Sequence, residues 1–354
     1  MKHFLDLRLS EFKEWLTRHG QPCFRADQVG HWVCNAPGVP FEQMSDVPKA
    51  LRTRLAEDFF IWSMRTVAHR TSADGSEKLL LQTADGEHIE CVLLRDDKGS
   101  RTACISTQVG CAMGCVFCAS GLDGLVRNLT AGEIFEELLQ LRRLLGPEER
   151  LSHIVVMGMG EPLANLERLL QALNRATRRD GLRISARRVT ISTVGLPAGI
   201  RRLADRGVSY HLAVSLHAPD DELRSRIVPM NEKAGLGAIL EAADYYFEKT
   251  GRRVTYEYVL LADVNDRPNH AAALADLLRG RNALVNLIPF NPIQGLPYRT
   301  PHRDDVRQFA AILDSAGIQV TIRHRKGDTI DAACGQLRRI RSQTPNLPVV
   351  QETT

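Results

Sequence analysis

The chain contains 354 residues, of which 44% are hydrophobic and 25% charged, and its formal net charge is +4. These values are typical of a globular protein and exclude a disordered or fibrous one. No apolar run approaches the ~20 residues of a membrane-spanning helix, and the charged N-terminus lacks the apolar stretch of a signal peptide. We therefore expect a cytoplasmic protein with no membrane partner.

Residues 1–65 are predicted to be helical, because apolar side chains recur at helical spacing at Leu5, Leu9, Phe12 and Leu16. Residues 67–94 change to short strands with Asp-Gly turns, which is typical of hairpins. The sequence therefore predicts four parts: an N-terminal helical accessory domain (1–65), a short-strand linker or hairpin segment (66–100), a core with a C-terminal extension (101–340) and a tail (341–354).

From residue 101 onward, strand-like and helical runs alternate. The strand-like runs are 102–107, 153–158, 188–193, 211–216, 253–260, 284–289 and 319–323. Helical periodicity covers 131–145, 165–179, 197–206, 236–250, 269–279 and 304–316. Such alternation implies parallel strands with right-handed crossovers. Six units predict an α/β fold, a partial (β/α)6 barrel similar to a TIM barrel, with its chemistry at the carboxyl ends of the strands.

Cysteines cluster where that chemistry is expected. The chain has 8 cysteines, and in a cytoplasmic protein they are not expected to form a disulfide framework. Cys111, Cys115 and Cys118 form a CxxxCxxC run directly after the first predicted strand. Three thiolates on one tight loop suit an iron–sulfur cluster with one iron left open. The alternative is a zinc site completed by Cys104 or by a distant histidine.

The CxxxCxxC run, with the aromatic Phe117 before its last cysteine, resembles the signature of the radical S-adenosylmethionine (SAM) superfamily. The resemblance implies that Cys111, Cys115 and Cys118 hold a [4Fe-4S] cluster whose fourth iron binds SAM. One electron from the cluster would then cleave SAM to a 5′-deoxyadenosyl radical.

Further motifs narrow the resemblance. A Gly160-Glu161-Pro162 run follows the second strand, Phe24 opens an N-terminal FRADQV motif, and residues 331–337 read DAACGQL. Together these motifs resemble the RlmN/Cfr family of RNA adenine methyltransferases from about residue 24 to residue 337. The resemblance implies SAM contacts at Gly160, Glu161, Ser192, Ser215, Leu216, His217 and Asn291. The residue types alone leave His217 open as a ligand, a base or a packing residue.

The same resemblance implies two reactive cysteines outside the cluster. Cys334 takes a methyl group from one SAM and becomes S-methylcysteine; a radical from a second SAM removes one of its hydrogens, and the methylene adds to adenine. Cys104 resolves this crosslink and forms a disulfide with Cys334, while Glu90 accepts the adenine proton. Without the resemblance, both cysteines are interpreted as small buried hydrophobes and Glu90 as a solvated strand-edge carboxylate.

The partners implied by the resemblance are 23S rRNA and tRNA, methylated at C2 of adenine, and an electron donor such as flavodoxin; the enzyme is expected to be a monomer. Basic residues bracket Cys334 and suit phosphates beside a presented base, namely Arg323, Arg325, Lys326, Arg338, Arg339 and Arg341. We expect that neutralising the first three weakens RNA binding and lowers its salt dependence.

Three alternatives stay open at this point. A Cfr-type enzyme methylates C8 of the same adenine and confers antibiotic resistance, although Pro162 resembles RlmN members more. A zinc-ribbon RNA-binding protein would perform no catalysis. A radical SAM enzyme acting on a protein or small molecule would not need both Cys104 and Cys334.

Overall fold

The computed structural model describes residues 1–323, 330–333 and 335–337. Several residues singled out by the sequence lie outside this range: Arg325, Lys326, Cys334, Arg338, Arg339, Arg341 and the rest of the tail. Within the described residues, no helix is long and apolar enough to cross a bilayer.

The N-terminal part is helical, as its apolar spacing predicts. It contains α1 (Leu9–Arg18), α2 (Arg25–Asn35) and α3 (Lys49–Asp58), and its ends pair as the short parallel strands β1 (Lys2–His3) and β2 (Phe59–Phe60). The spaced residues Leu5, Phe12 and Leu16 are buried, and the ring of Phe12 packs against those of Phe4, Trp15 and Phe59. This aromatic core closes the N-terminal part on itself.

The next segment is continuous with the main sheet. Strands β3 (Arg65–Thr71), β4 (Glu77–Gln82) and β5 (His88–Arg95) pair antiparallel in sequence order, and β5 pairs antiparallel with β6 (Arg101–Cys104). The segment predicted as a linker or hairpin therefore extends the sheet of the core by three strands. The division of the chain into domains stays a prediction.

After β6 the chain forms a small two-stranded excursion from the main sheet, made of β7 (Gln108–Gly110) and β8 (Leu125–Asn128). The three clustered cysteines lie in the loop between these two strands. Six further strands then align parallel to β6 in sequence order: β9 (His153–Val156), β10 (Val189–Thr193), β11 (His211–Ser215), β12 (Val254–Leu260), β13 (Ala283–Pro289) and β14 (Gln319–Ile322). The edge strands β3 and β14 are not paired with each other, so the barrel is partial, as predicted.

Helices connect the parallel strands: α4 (Ala131–Arg143), α5 (Leu166–Thr177), α6 (Pro197–Asp205), α7 (Asp221–Ile227), α8 (Leu236–Thr250), α9 (Pro268–Leu278) and α10 (Arg303–Ser315). The start of α4 shows how the sequence determines these bounds. The Thr130 hydroxyl accepts from the Glu133 amide, and the Glu133 carboxylate accepts from the Thr130 amide. This reciprocal cap satisfies two amides that the first turn leaves without partners. Ile134, Phe135 and Leu138 of the same helix are buried.

The N-terminal part packs directly against two barrel helices. The Asp6 carboxylate accepts a 2.6 Å hydrogen bond from the Gly132 amide at the start of α4. Arg175 of α5 donates to the carbonyls of Phe4 and Leu5. These bonds fix the N-terminal helices on the outside of the barrel, next to its first two strand–helix units.

Strand register decides which side chains share the inner face of the sheet. Side chains of residues that are paired in register point to the same face, so Val92 of β5 and Cys104 of β6 lie on one face. Glu90 lies two residues before Val92 on β5 and therefore points to this face as well. Register across the parallel strands adds polar residues to this face, namely Thr102, His153, Thr190, Ser192, His211, Ser215, Glu257 and Asn286. The alternate residues Ile154, Val156, Val189 and Ile191 belong to the hydrophobic core. The partial barrel thus has an inner face rich in polar side chains.

Candidate active site

The loop that carries the three cysteines is fixed by its neighbours at three points. The Cys111 amide donates to the Gly124 carbonyl, and the Val116 amide donates to Ile227 at the end of α7. The Ala119 amide donates to the carbonyl of Gly335. The loop therefore lies between the excursion after β6, the helix after β11 and the segment that follows Cys334.

Cys111 is buried, Cys115 and Cys118 are partly exposed, and the three thiols are close enough to influence one another. Burial raises the pKa of the Cys111 thiol to about 12 and holds the pKa of the Cys115 thiol well above its ordinary value, and the neighbouring cysteines add to both effects. Hydrogen bonds from the Met113 and Gly160 amides oppose the rise at Cys111. Bare thiolates are thus unfavourable here, whereas a bound metal deprotonates its thiol ligands.

This donor set fits an iron–sulfur cluster better than a zinc ion. In the described part of the chain, no three His, Cys, Asp or Glu side chains are arranged to hold a single metal ion. Cys104, the candidate fourth zinc ligand, lines a different cavity from the other three. In a cluster, each thiolate binds its own iron atom, so the three sulfurs need not converge on one point.

Gly110 permits the turn into the cysteine loop, and its replacement by alanine is expected to prevent iron loading. Its φ is +76°, and an added Cβ would lie 2.0 Å from the Gly124 carbonyl oxygen, the acceptor of the Cys111 amide. We expect the iron content after anaerobic reconstitution of Gly110→Ala to fall to a small fraction of the wild-type value. Gly86→Ala is the matched control, since Gly86 has a φ of +84° and no atom within 4 Å of an added Cβ. Full iron loading of Gly110→Ala would contradict this account.

The predicted SAM contacts line one cavity together with the three cysteines, with a single exception. Six of the seven line it: Gly160, Glu161, Ser192, Ser215, His217 and Asn291. The exception is Leu216, whose side chain is fully buried in the hydrophobic core. Strand alternation explains this, because Leu216 lies between two residues that face the cavity. Its backbone joins the site instead, donating to the Glu257 carbonyl.

Glu161 connects two of the loops around this cavity. One carboxylate oxygen accepts from the Leu163 amide and the other from the Val194 amide after β10, each at 2.9 Å. Burial raises the pKa of this carboxyl, while the two amides hold it down. The Thr193 hydroxyl also bonds to this carboxyl. An ionised carboxylate has about four acceptor positions, so about one remains after these three bonds. Glu161 therefore organises the loops and keeps the capacity to accept from an ammonium group.

His217 is a neutral hydrogen-bond donor in this structure. Its Nδ1 accepts from the Val259 amide at 3.0 Å, so the ring proton lies on Nε2. Burial, with the nearby Arg224 charge, lowers the pKa of His217 to about 3. Its φ of +62° and an edge contact with Phe117 fix the ring beside the cysteine loop. Of the three roles that the sequence left open, those of base and metal ligand are disfavoured, because Nδ1 is engaged and Nε2 is protonated.

Arg224 of α7 is a site residue that the sequence analysis missed. Its guanidinium is buried and donates to the carbonyls of Val194, Ser215 and Leu216 and to the Asn231 side chain. Burial lowers the pKa of Arg224 to about 10, and the Cys115 thiol opposes this shift. Arg224 thus connects the loops after β10 and β11 behind the cysteine loop. An arginine in an otherwise ordinary DELRSRI helix gives no local signal of this role.

Two further cavities contain the other predicted residues, and one of them adjoins the first. Cys104 lines the second cavity with Ala332, Ala333 and Arg323, and this cavity shares Met157, Ile288, Asn291 and Arg323 with the first. Glu90 lines the third, with Lys78, Asp331 and Gln336. Glu90 lies at the carboxyl end of β6, because its carbonyl accepts from the Ser106 hydroxyl. The predicted proton acceptor and resolving thiol therefore lie on one face, at the end of the barrel that holds the cysteines.

Cys334 itself lies outside the described residues, but the residues on either side of it are described. Ala333 before it lines the Cys104 cavity, and Gly335 after it lines the cavity of the three cysteines. The Gln336 side chain accepts from the Ala333 amide and donates to the Pro292 carbonyl. Arg323, predicted to contact RNA phosphates, lines both cavities. Burial raises the pKa of the nearby Glu257 carboxyl, and the Arg323 charge opposes this rise.

The partial barrel and its cysteine-lined cavity define a class of enzyme, and comparison with known proteins agrees. Residues 105–275 match the radical SAM superfamily. Residues 2–61 match the ribosomal RNA large subunit methyltransferase N-terminal domain. The protein is a radical SAM enzyme, and its cofactors are a [4Fe-4S] cluster and SAM.

Similarity over the whole chain gives the family. A probable dual-specificity RNA methyltransferase RlmN from Rhodopirellula baltica is 55% identical over 96% of this chain and 92% of its own length. Its Clostridium perfringens counterpart is 45% identical over 96% of this chain and 97% of its own. The crystal structure of a radical SAM methyltransferase from Sphaerobacter thermophilus aligns with a TM-score of 0.91 at 42% identity, covering 95% of this chain and 99% of that one. The chain belongs to the RlmN family of radical SAM RNA methyltransferases.

Proposed function

We propose that this enzyme methylates C2 of an adenine in 23S rRNA and in tRNA next to the anticodon, with Cys334 as the carrier of the methyl group. One observation carries the proposal. The chain passes from the cavity of Cys104 at Ala333 to the cavity of the three cysteines at Gly335. A thiol at position 334 therefore has a neighbour on each side that lines one of these cavities.

A carrier is needed because C2 of adenine is an electrophilic carbon and cannot attack the methyl group of SAM. The Cys334 thiolate can, and it becomes a thioether. When bound, the cluster and SAM supply the radical that removes one hydrogen atom from this methyl group. The Cys334 methylene carbon then bonds to C2. Cys111, Cys115 and Cys118 would hold the cluster, while Gly160, Glu161, Ser192, Ser215, His217 and Asn291 would surround SAM.

The remaining steps fall to Glu90 and Cys104. The adduct would return one electron to the bound cluster, which the cleavage of SAM leaves oxidised. Glu90 then accepts the C2 proton, and the electron pair of the C–H bond returns to the ring. The Cys104 thiolate attacks the Cys334 sulfur, the sulfur–carbon bond breaks, and the released carbon takes a proton to become the methyl group. A Cys104–Cys334 disulfide remains and must be reduced by two electrons before the next turnover.

The position of methylation is tested by the product. We expect anaerobic turnover with unmodified 23S rRNA fragments and tRNA to give 2-methyladenosine by nucleoside mass spectrometry. The alternative is 8-methyladenosine, the product of a Cfr-type enzyme, and it would show that the similarity of Pro162 to RlmN members is misleading. Neither nucleoside, from protein with a full cluster, would overturn the proposed substrate.

Further properties follow from the same proposal. The enzyme works as a monomer, draws single electrons from an external donor such as flavodoxin, and acts in the cytoplasm, where ribosomal and transfer RNA are found. Relatives named as dual-specificity RNA methyltransferases support the choice of two RNA substrates.

A further inference from the structure

A buried lysine lies beside the proposed proton acceptor. Lys78 Nζ is 3.0 Å from Glu90 Oε1, and the two side chains are only 7% and 4% exposed. Lys78 of β4 is in register with Val92, two residues from Glu90 on β5, so the pair is a diagonal contact on the inner face of the sheet. The hairpin segment thus contributes two charged groups to the site.

The same ammonium group also contacts the segment that carries Cys334. Lys78 Nζ donates a 3.0 Å hydrogen bond to the backbone carbonyl of Asp331. Asp331 lies three residues before Cys334 and has a φ of +52°, a conformation that a non-glycine residue keeps only when its surroundings hold it. Lys78 therefore joins Glu90 to the backbone of the reactive segment.

Stability does not account for this arrangement. A buried ion pair seldom stabilises a protein more than apolar side chains of the same volume, because both charges lose their hydration. Here the pair lines a cavity at the carboxyl end of the barrel, together with Asp331 and Gln336. The pair costs hydration free energy, and it borders an open cavity and the reactive segment. Such a position points to a role in the reaction.

We propose that Lys78 is a positioning residue for proton removal from adenine, an inference that rests on the proposed function. Its ammonium group stabilises the ionised form of Glu90, which is the form that can accept a proton. It also holds this carboxylate at a fixed place relative to the backbone of Asp331. When Glu90 takes the C2 proton, the electron pair of the C–H bond stays in the adenine ring, and Lys78 keeps its own proton.

The test compares three substitutions of Lys78 in reconstituted holoenzyme. Lys78→Met removes the charge and both hydrogen bonds, and Lys78→Gln removes the charge but keeps a donor. General bases typically contribute about 10²–10⁴-fold, so we expect both neutral variants to form 2-methyladenosine about 100-fold more slowly. Covalent enzyme–RNA adduct should accumulate on denaturing gels, while methylation of Cys334, read from peptide mass, stays at the wild-type level. Lys78→Arg keeps a cation and should recover most of the lost rate.

An isotope effect separates positioning from a general structural role. With adenine deuterated at C2, the neutral variants should slow further, because removal of the C2 hydrogen has become rate-limiting. His69→Gln is the matched control. His69 of β3 pairs with Glu77 of β4, the residue before Lys78, at 2.8 Å and does not line the cavity. We expect this control to keep the wild-type rate with no accumulated adduct.

The outcomes separate the two proposals. If the wild type forms no 2-methyladenosine, the proposed function fails. If the wild type forms it and a folded, iron-loaded Lys78→Gln has the same rate, no adduct and no isotope effect, the role of Lys78 is refuted while the function stands. Should Lys78→Met fail to fold, Lys78→Gln alone decides.

Discussion

Replacing Cys104 with alanine is expected to stop the release of methylated RNA while a covalent enzyme–RNA adduct accumulates. Cys104 is the last residue of β6, is 8% exposed and lines the cavity that also contains Ala333. In the proposed reaction its thiolate is the nucleophile that breaks the bond between the Cys334 sulfur and the new methyl carbon. Without it the bond has no route to cleavage, although every earlier step can proceed.

The expected loss of product is on the order of 10³-fold or more, as with removal of a nucleophile in other enzymes. Denaturing gels with labelled RNA measure the adduct, and nucleoside mass spectrometry measures the product. Cys91→Ala is the matched control, since Cys91 is fully buried on the neighbouring strand β5, adjacent to Glu90 but on the opposite face. Product release by Cys104→Ala at the wild-type rate would show that another group resolves the adduct.

Replacing Arg224 with methionine is expected to unfold the site rather than to change its chemistry. Four buried acceptors would lose their donor: the carbonyls of Val194, Ser215 and Leu216 and the Asn231 side chain. A buried polar group left without its partner costs about 1–3 kcal/mol, and the four losses overlap, so we expect about 4 kcal/mol in the free energy of unfolding.

Urea unfolding and iron content measure this loss together. Ser192 and Ser215 lie at the ends of β10 and β11, and His217 follows directly after β11. Release of the loops after these strands should therefore lower cofactor retention as well as stability. Arg226→Met is the matched control, because Arg226 is exposed on the same helix. Wild-type stability and iron content in Arg224→Met would show that the guanidinium does not organise these loops.

Most of the fold could be predicted, because parallel strands and their crossover helices leave regular patterns in a sequence. All six helices predicted for the core are present in the structure. The run predicted at 236–250 has the same bounds as α8 (Leu236–Thr250). The first strand was predicted to reach residue 107 but ends at Cys104. Beyond it, the Ile105 amide still donates to Val155, while the Thr107 amide donates to Met159 in the loop after β9. A hydrophobic pattern does not reveal that the backbone amides change their hydrogen-bond acceptor from a strand to a loop.

The site was harder to predict where residues meet through the fold alone. The cysteine spacing and the strand-end residues are local signals, and six of the seven predicted SAM contacts share a cavity with the cysteines. Lys78 and Arg224 carry no such signal, because a lysine on a hairpin and an arginine on a helix are usually solvated. Their roles arise from contacts with residues as distant as Asp331. Leu216 shows a different limit, since the motif gives a SAM-contacting stretch but not which of its residues face the cavity with a side chain and which with the backbone.

In the proposed reaction the methyl group reaches RNA through a cysteine and loses one hydrogen atom while it is attached there. The most direct test supplies SAM with a fully deuterated methyl group during anaerobic turnover. Mass spectrometry then measures the mass of the methylated adenosine. Our account predicts that the product methyl keeps two deuterium atoms and gains one hydrogen, because one deuterium is removed while the carbon is attached to Cys334. A product methyl that retains all three deuterium atoms would mean direct transfer from SAM and would contradict the account.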